Sequence, residues 1–265
     1  MNQLGFGGAA LTSISSYRQI KRLLNTAIEM GINHFDTAPL YGKGYSEYIF
    51  GEILKPHRKN ITITTKFGLG NSSELKRIPL ELLLPLNSCI KKIKAIFPRP
   101  AQQLIYFQDR KIEKKEIEVS FKASLKRLQT DYLDYYLLHE AVPGFMTDEA
   151  LEYIRSLKQQ GKVRYIGIGA DSLKLIKMEP QSATGWDILQ YDGSVDETKN
   201  ELMQKFPNHV HFHHSCLRSL KSSELTGGHI LAKAASLNSK GKIIFSTRNI
   251  IRLKDNITQF YNYFK

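Results

Sequence analysis

The chain has 265 residues, 42% of them hydrophobic, and 38 Lys+Arg stand against 25 Asp+Glu for a net charge of +13. That is enough apolar material for a substantial core, and the two cysteines, Cys89 and Cys216, are too few for a disulfide framework and point to a reducing, cytoplasmic setting. No apolar run approaches the ~20 residues that span a bilayer, and the N-terminus lacks the basic-then-apolar pattern of a signal peptide, so no membrane partner is expected.

In chain order, residues 3–7 read as a first strand. Gly5, Gly7 and Gly8 follow it, but Ala10 stands where a dinucleotide-binding turn needs its third glycine, so a strand and its turn is the better reading than a phosphate cradle. Residues 16–30 place Ile20, Leu23, Leu24, Ala27 and Ile28 on one helical face. Strands over 33–37 and 61–66 come next. Residues 69–110 are too long for a simple strand-to-helix connection and are expected to carry short helical pieces of their own. Within them the apolar patch 80–86 is broken by Pro85 and reads as local packing.

A helix over 117–128 is predicted from Val119, Phe121, Ala123, Leu125 and Leu128, and a strand over 132–139 follows. The helix 147–160 opens with Thr147 as its cap and Asp148 and Glu149 in the first turn. Strands over 165–169, 188–191, 210–214 and 242–246 then alternate with helices over 173–178, 196–206, 228–239 and 249–264. Eight strands alternating with helices predict an α/β fold, a (β/α)8 TIM barrel built as a single domain over residues 1–265, with 69–110 inserted after strand three.

The charge is regional. Residues 71–127 hold 13 Lys/Arg and 6 Asp/Glu, a net of +7, and four of the nine prolines. Aromatic interleaving and known nucleic-acid modules are missing there, so no nucleic-acid partner is expected. Lys91, Lys92, Lys94, Lys111, Lys114 and Lys115 are spaced as solvated helix faces. The functional alternative is a basic border of the barrel mouth that steers an anionic substrate. His209, His211 and His213 alternate along one strand and share a face, but three ligands on one short strand rarely converge, so no metal is expected. Nothing beside Cys216 marks it as an activated thiol.

In a barrel the C-terminal ends of the strands share one mouth. Asp36 ends strand two, Tyr41 lies in the loop beyond it, Lys66 closes strand three and His139 closes strand four. A tyrosine hydroxyl near pKa 10 is a poor acid–base group until an ammonium stabilises its phenolate, and a carboxylate keeps that ammonium charged and aimed. A neighbouring imidazole can orient a substrate oxygen. Such a set delivers a proton to a carbonyl oxygen while a hydride attacks the carbon, which requires a nicotinamide cofactor.

The stretch from Gly31 through His34, Asp36, Tyr41 and Glu47 to Gly51 closely resembles the first signature of the aldo/keto reductases. Thr64-Thr65-Lys66-Phe67-Gly68 is similar to that family's strand-three lysine motif, residues 124–139 to the helix and strand that end in its catalytic histidine, and residues 161–167 to its strand-five entry. The resemblance implies a (β/α)8 barrel that binds NADP(H) in extended form. It implies Tyr41 as proton donor, Lys66 and Asp36 as the pair that tunes it, and His139 as the substrate-orienting group. Gln190 matches the glutamine that holds the nicotinamide amide, whereas Gly169 and Ala170 replace the usual Ser-Asn at the end of strand five. His214 stands nearest the place of the aromatic residue that stacks on the nicotinamide. Ser246, Thr247, Arg248, Arg252 and Asn256 fall where the family holds the adenosine phosphate and adenine, with Ser246 replacing a lysine. NADP(H) is therefore the preferred cofactor, with NAD(H) as the other.

The expected function is an NAD(P)-dependent oxidoreductase that transfers a hydride between nicotinamide and an aldehyde, ketone or sugar, with Tyr41 moving the proton. The alternative is a catalytically weak, cofactor-binding regulatory barrel.

Overall fold

The computed structural model describes residues 3–69, 111–193, 197–218 and 225–265. The strands are β1 (Leu4–Gly7), β2 (His34–Asp36), β3 (Thr62–Phe67), β4 (Leu133–His139), β5 (Val163–Gly169), β6 (Ile188–Asp192), β7 (Val210–His214) and β8 (Lys242–Phe245). The α-helices that alternate with them among the described residues are α1 (Tyr17–Glu29), α2 (Tyr45–Leu54), α3 (Lys114–Leu128), α4 (Asp148–Gln159), α5 (Ser172–Lys177), α6 (Glu197–Lys205), α7 (Gly227–Leu237) and α8 (Ile250–Asn262). Each strand runs parallel to the next and β1 pairs with β8, so the sheet closes into a (β/α)8 barrel. The segment expected as an insertion, 69–110, lies outside the described residues from 70 onward. No helix among the described residues is long and apolar enough to cross a membrane.

Local chemistry sets the helix starts. Ser16 Oγ accepts from Gln19 N at 3.3 Å, Thr147 Oγ1 from Ala150 N at 3.2 Å, and Asn249 Oδ1 from Ile251 N at 2.8 Å and Arg252 N at 3.1 Å. α3 begins three residues before its predicted start, because Glu113 and Glu116 form a reciprocal capping box.

α3 also turns a different face inward than its apolar residues suggest. It buries Ile117, Ser120, Phe121, Ser124 and Leu128, while Val119 is 44% exposed. The reason is a close crossing with α2. A Cβ at Gly51 would collide with the Arg127 carbonyl and stand 2.8 Å from Leu128 Cα, so small residues face the contact. α2 itself carries no helical stripe legible in the sequence, since it buries Ser46, Glu47, Ile49, Phe50, Gly51, Ile53 and Leu54. Arg127, at the end of the basic stretch, is buried. Its Nε donates to Glu47 Oε2 at 2.6 Å, and Thr65 Oγ1 donates to Glu47 Oε1 at 2.6 Å. Lys114 does lie at the surface, paired with Glu149 at 3.1 Å.

Two apolar clusters divide the molecule. The larger lies between sheet and helices. The smaller fills the barrel with Leu137, Ile188, Phe212 and Ile244, flanked by Tyr135 and Val210. Strand side chains alternate, so the next inward positions toward the C-terminal ends are His139, Gln190, His214 and Ser246, joined by Asp36 and Lys66. A packed apolar layer thus floors the mouth, and every polar group above it is held against a dry base.

Candidate active site

The site begins at the end of β2. Asp36 is 3% exposed and Lys66, one strand over, is also 3% exposed. Lys66 Nζ donates to Asp36 Oδ1 at 2.8 Å, to Asp36 Oδ2 at 2.9 Å and to Thr37 O at 3.0 Å. Gln190, reaching across from β6, donates its Nε2 to Asp36 Oδ2 at 2.8 Å. A buried carboxylate that accepts from two side chains is held in place.

Tyr41 opens a short turn beyond β2, and its ring centroid lies 5.3 Å from Lys66 Nζ. The His139 ring meets it edge-on, with centroids 6.0 Å apart and planes at 87°. The four residues read from the strand ends are therefore one cluster. Gln190 joins them through Asp36, and His214, at the end of β7, stands in the same layer.

Each ionisable group is driven toward one protonation state. Withdrawal from water raises the Tyr41 pKa; Lys66 opposes this, while Asp36 and Glu140 add to it, so the phenol is protonated at neutral pH. Burial alone would lower Lys66, but Asp36 and Tyr41 outweigh it and its pKa rises, so the ammonium is charged. Burial first, then Lys66, His214 and Lys174, hold His139 well below the usual histidine range and therefore neutral. His214 is lowered as well, chiefly by burial.

Two polar atoms in this layer are buried without a hydrogen-bond partner among the described residues: His139 Nδ1 and Gln190 Oε1. Orphaned buried atoms are costly in a folded protein, and here they share the mouth with the Tyr41 side chain. The backbone is unusual at the same places. Gly42, Lys43 and Gly44, directly after Tyr41, have φ of 60°, 57° and 90°; Glu140, after His139, has 56°; Ser215, after His214, has 60°. Non-glycine residues rarely adopt this region, and such strain gathers at functional sites.

The outlying expectations fare differently. Ser246 follows β8 and is exposed, as are Arg248 and Arg252. Thr247 Oγ1 accepts from Asn249 N at 3.2 Å, so its hydroxyl shapes the entry to α8. Asn256 lies one turn farther on, pressed against Gly227 of α7. Ser246 and Thr247 follow β8, and Arg252 and Asn256 lie on α8. Gly169 sits in the wall beside Gln190: a Cβ there would be in ordinary contact with Gln190 Oε1 at 3.5 Å, Leu138 O at 3.6 Å and Lys66 Cε at 3.6 Å.

His211 and His213 turn outward rather than into the mouth. Both contact the Tyr191 hydroxyl, at 2.9 Å and 3.1 Å, and His211 Nε2 donates to Phe206 O at 3.0 Å. His209 Nε2 donates to Ala183 O at 3.0 Å. Cys216 is buried.

Glu140 and Lys174 escaped the sequence reading. Lys174 Nζ donates to Glu140 O at 2.8 Å and to Glu140 Oε2 at 3.1 Å, and Glu140 N donates to Gly169 O at 2.6 Å, which together clamp the left-handed residue after His139. A glutamate carries no signal for that conformation, so only its place directly after His139 could have drawn attention to it.

The profile of the Aldo/keto reductase family matches residues 3–204. The oxidoreductase YqkF of Bacillus subtilis is 29% identical over 187 residues, 71% of this chain and 51% of its own length. The NADH-specific methylglyoxal reductase of Escherichia coli is 30% identical over 151 residues, 54% of this chain and 40% of its own. The chain thus spans about half the length of the curated relatives it matches. Among solved structures, the holo form of aldo-keto reductase AKR11C1 from Bacillus halodurans superposes with a TM-score of 0.71 at 22% identity, over 97% of this chain and 86% of that one. That likeness speaks for the fold. A profile match over most of the chain speaks for descent: the chain belongs to the aldo/keto reductase family.

Proposed function

We propose that this protein transfers a hydride between a nicotinamide cofactor and the carbonyl or alcohol carbon of an aldehyde, ketone or sugar, with Tyr41 as proton donor in reduction and acceptor in oxidation. The observation that carries the reading is the buried Lys66, fixed by Asp36 and Thr37 beside a protonated Tyr41. In reduction a carbonyl oxygen would lie between the Tyr41 hydroxyl and the His139 ring. The neutral imidazole, with its edge toward Tyr41, orients that oxygen, and the Lys66 charge stabilises the phenolate left behind.

The residues fit the cofactor. Gln190 Oε1 is a buried acceptor in need of a donor, and a carboxamide N–H₂ is one. Gly169 adds no side chain beside it, and His214 offers a flat ring in the same layer. A bound nicotinamide would supply the hydride. Arg248 and Arg252, both exposed near the start of α8, suit a phosphate, and Ser246, Thr247 and Asn256 flank them. NADP(H) is the preferred form; a relative named as NADH-specific supports testing NAD(H) alongside it.

We take residues 1–265 as one barrel unit in a cytoplasmic setting, acting on small-molecule substrates that include anionic ones. Mixing the protein with NADPH or NADH, following fluorescence, then adding a panel of aldehydes, ketones and sugars tests it. Cofactor binding followed by carbonyl-dependent consumption is expected. Binding without consumption would favour a regulatory barrel, and no binding would overturn both.

A further inference from the structure

One of the three acceptors that hold Lys66 is a main-chain carbonyl, Thr37 O. A ring of hydrogen bonds beneath the mouth fixes that carbonyl. Thr37 Oγ1 donates to Ser46 Oγ at 2.9 Å, Ser46 Oγ donates to Gly8 O at 3.0 Å, and Gly8 N donates to Asp36 O at 2.8 Å. The proton direction has no freedom. Gly8 O can only accept, so Ser46 uses its single hydrogen there and must accept from Thr37. Thr37 and Ser46 are both 0% exposed, so water cannot replace either bond.

Gly8 completes the ring sterically, since a Cβ there would stand 2.5 Å from Ser46 Oγ and 2.9 Å from Phe50 Cζ. On the opposite side Thr37 N donates to Thr64 O at 2.8 Å. Thr37 is thereby held at its N–H and at its side chain, and its carbonyl, in the peptide that follows, is presented to Lys66. β1, β2, β3 and α2 all contribute to that one orientation.

We propose that Thr37 and Ser46 are positioning residues: their hydroxyl pair aims the Thr37 carbonyl, and through it holds the Lys66 ammonium at Tyr41. The inference rests on Tyr41 as proton donor, the reading given above. Removing the Thr37 hydroxyl leaves Thr37 anchored through its N–H, so its carbonyl can turn away from Lys66 and the ammonium is drawn toward the Asp36 carboxylate. Among the described residues, the charged groups around Tyr41 are Lys66 from β3, Asp36 from β2 and Glu140 after β4, with neutral His139 facing the ring; of these charged groups Lys66 favours the phenolate. Loosening Lys66 therefore makes Tyr41 harder to ionise.

The test uses the full chain with Thr37→Val, which keeps the shape and loses the hydroxyl, Thr37→Ser, which keeps the hydroxyl, and Ser46→Ala. Tyrosine labelled with ¹³C at Cζ is titrated by NMR, with the Tyr41 signal assigned by its loss in Tyr41→Phe. Thr37→Val and Ser46→Ala should move the Tyr41 titration upward by about half a pH unit or more, and Thr37→Ser should restore it. In carbonyl reduction kcat should fall about tenfold in the first two with KM little changed. A Tyr41 titration in Thr37→Val that coincides with wild type overturns the proposal, as does a Thr37→Ser protein as impaired as Thr37→Val. If Ser46→Ala does not fold, the two Thr37 variants decide alone. A wild type that reduces no carbonyl sinks the proposed function, and the NMR titration still judges the positioning role.

Discussion

The two halves of the mouth are built differently. On the β2–β4 side, Asp36, Lys66 and His139 are almost wholly buried, and Lys66 is bonded to Asp36 and to Thr37 O within 3.0 Å. On the β5–β8 side, Gly169 and Ala170 present no polar side chain, the His214 ring bonds to the neighbouring Ser215 Oγ at 2.9 Å, and Ser246, Arg248 and Arg252 are exposed. Gln190 is the bridge, its amide N–H on Asp36 and its carbonyl oxygen unmet. Proton machinery must be preorganised before the substrate arrives, because reorganisation during the reaction adds to the barrier. A cofactor can bring part of its own order through many weak contacts, so a looser wall serves.

That contrast can be broken most severely at Lys66. Lys66→Met would leave Asp36 as a buried carboxylate without its cation; about 3–5 kcal/mol of stability should be lost in urea unfolding, and turnover should fall about a thousandfold. A variant with wild-type stability would show that the ion pair is not the rigid half's keystone. Gln190→Leu probes the bridge. Cofactor affinity should weaken about tenfold by fluorescence titration, the worth of one hydrogen bond, and turnover should also fall as Asp36 loses a donor. An unchanged affinity would separate Gln190 from the cofactor side.

Acid should also expose the rigid half. His34 and His139 are held well below the ordinary value of 6.5, chiefly by burial. Their folded-state pKa values are depressed, so the unfolded chain takes up protons first. Stability is then full above pH 6.5 and is lost as pH falls toward the folded values, by about 1.4 kcal/mol per pH unit for each histidine kept neutral. Urea midpoints between pH 7 and 5.5 measure this, and His139→Asn should flatten the slope; an unchanged slope would mean that His139 titrates normally. The smallest effect is expected on the loose side. Arg252→Ala should weaken NADPH binding about fivefold and leave NADH binding unchanged, since an exposed charge contact contributes little. Equal losses for both cofactors would remove Arg252 from phosphate recognition.

Much of the rigid half could be read from the sequence, for a physical reason. Lys66 and His139 end β-branched and aromatic runs, and a polar residue closing a buried strand is conspicuous. The barrel was legible from the alternation of such runs with helical spacing. α2 was not, because burial on nearly all sides erases the periodic stripe that betrays a surface helix. The orientation of α3 was missed because a backbone-to-backbone crossing at Gly51 selects small residues over apolar ones. Thr37, Ser46 and Glu140 are residue types found in any loop, and their roles come from hydrogen-bond partners far away in the chain. The group from Ser246 to Asn256 was visible only through family resemblance, since exposed polar residues at a helix start look alike whatever they bind.

The central claim is that Tyr41 delivers the proton in a site whose remaining parts bind independently of it. Steady-state turnover and cofactor affinity of Tyr41→Phe, measured on one preparation, test it most directly. The account predicts a loss of turnover of about a hundredfold or more with cofactor affinity unchanged. Full turnover without the hydroxyl would contradict it.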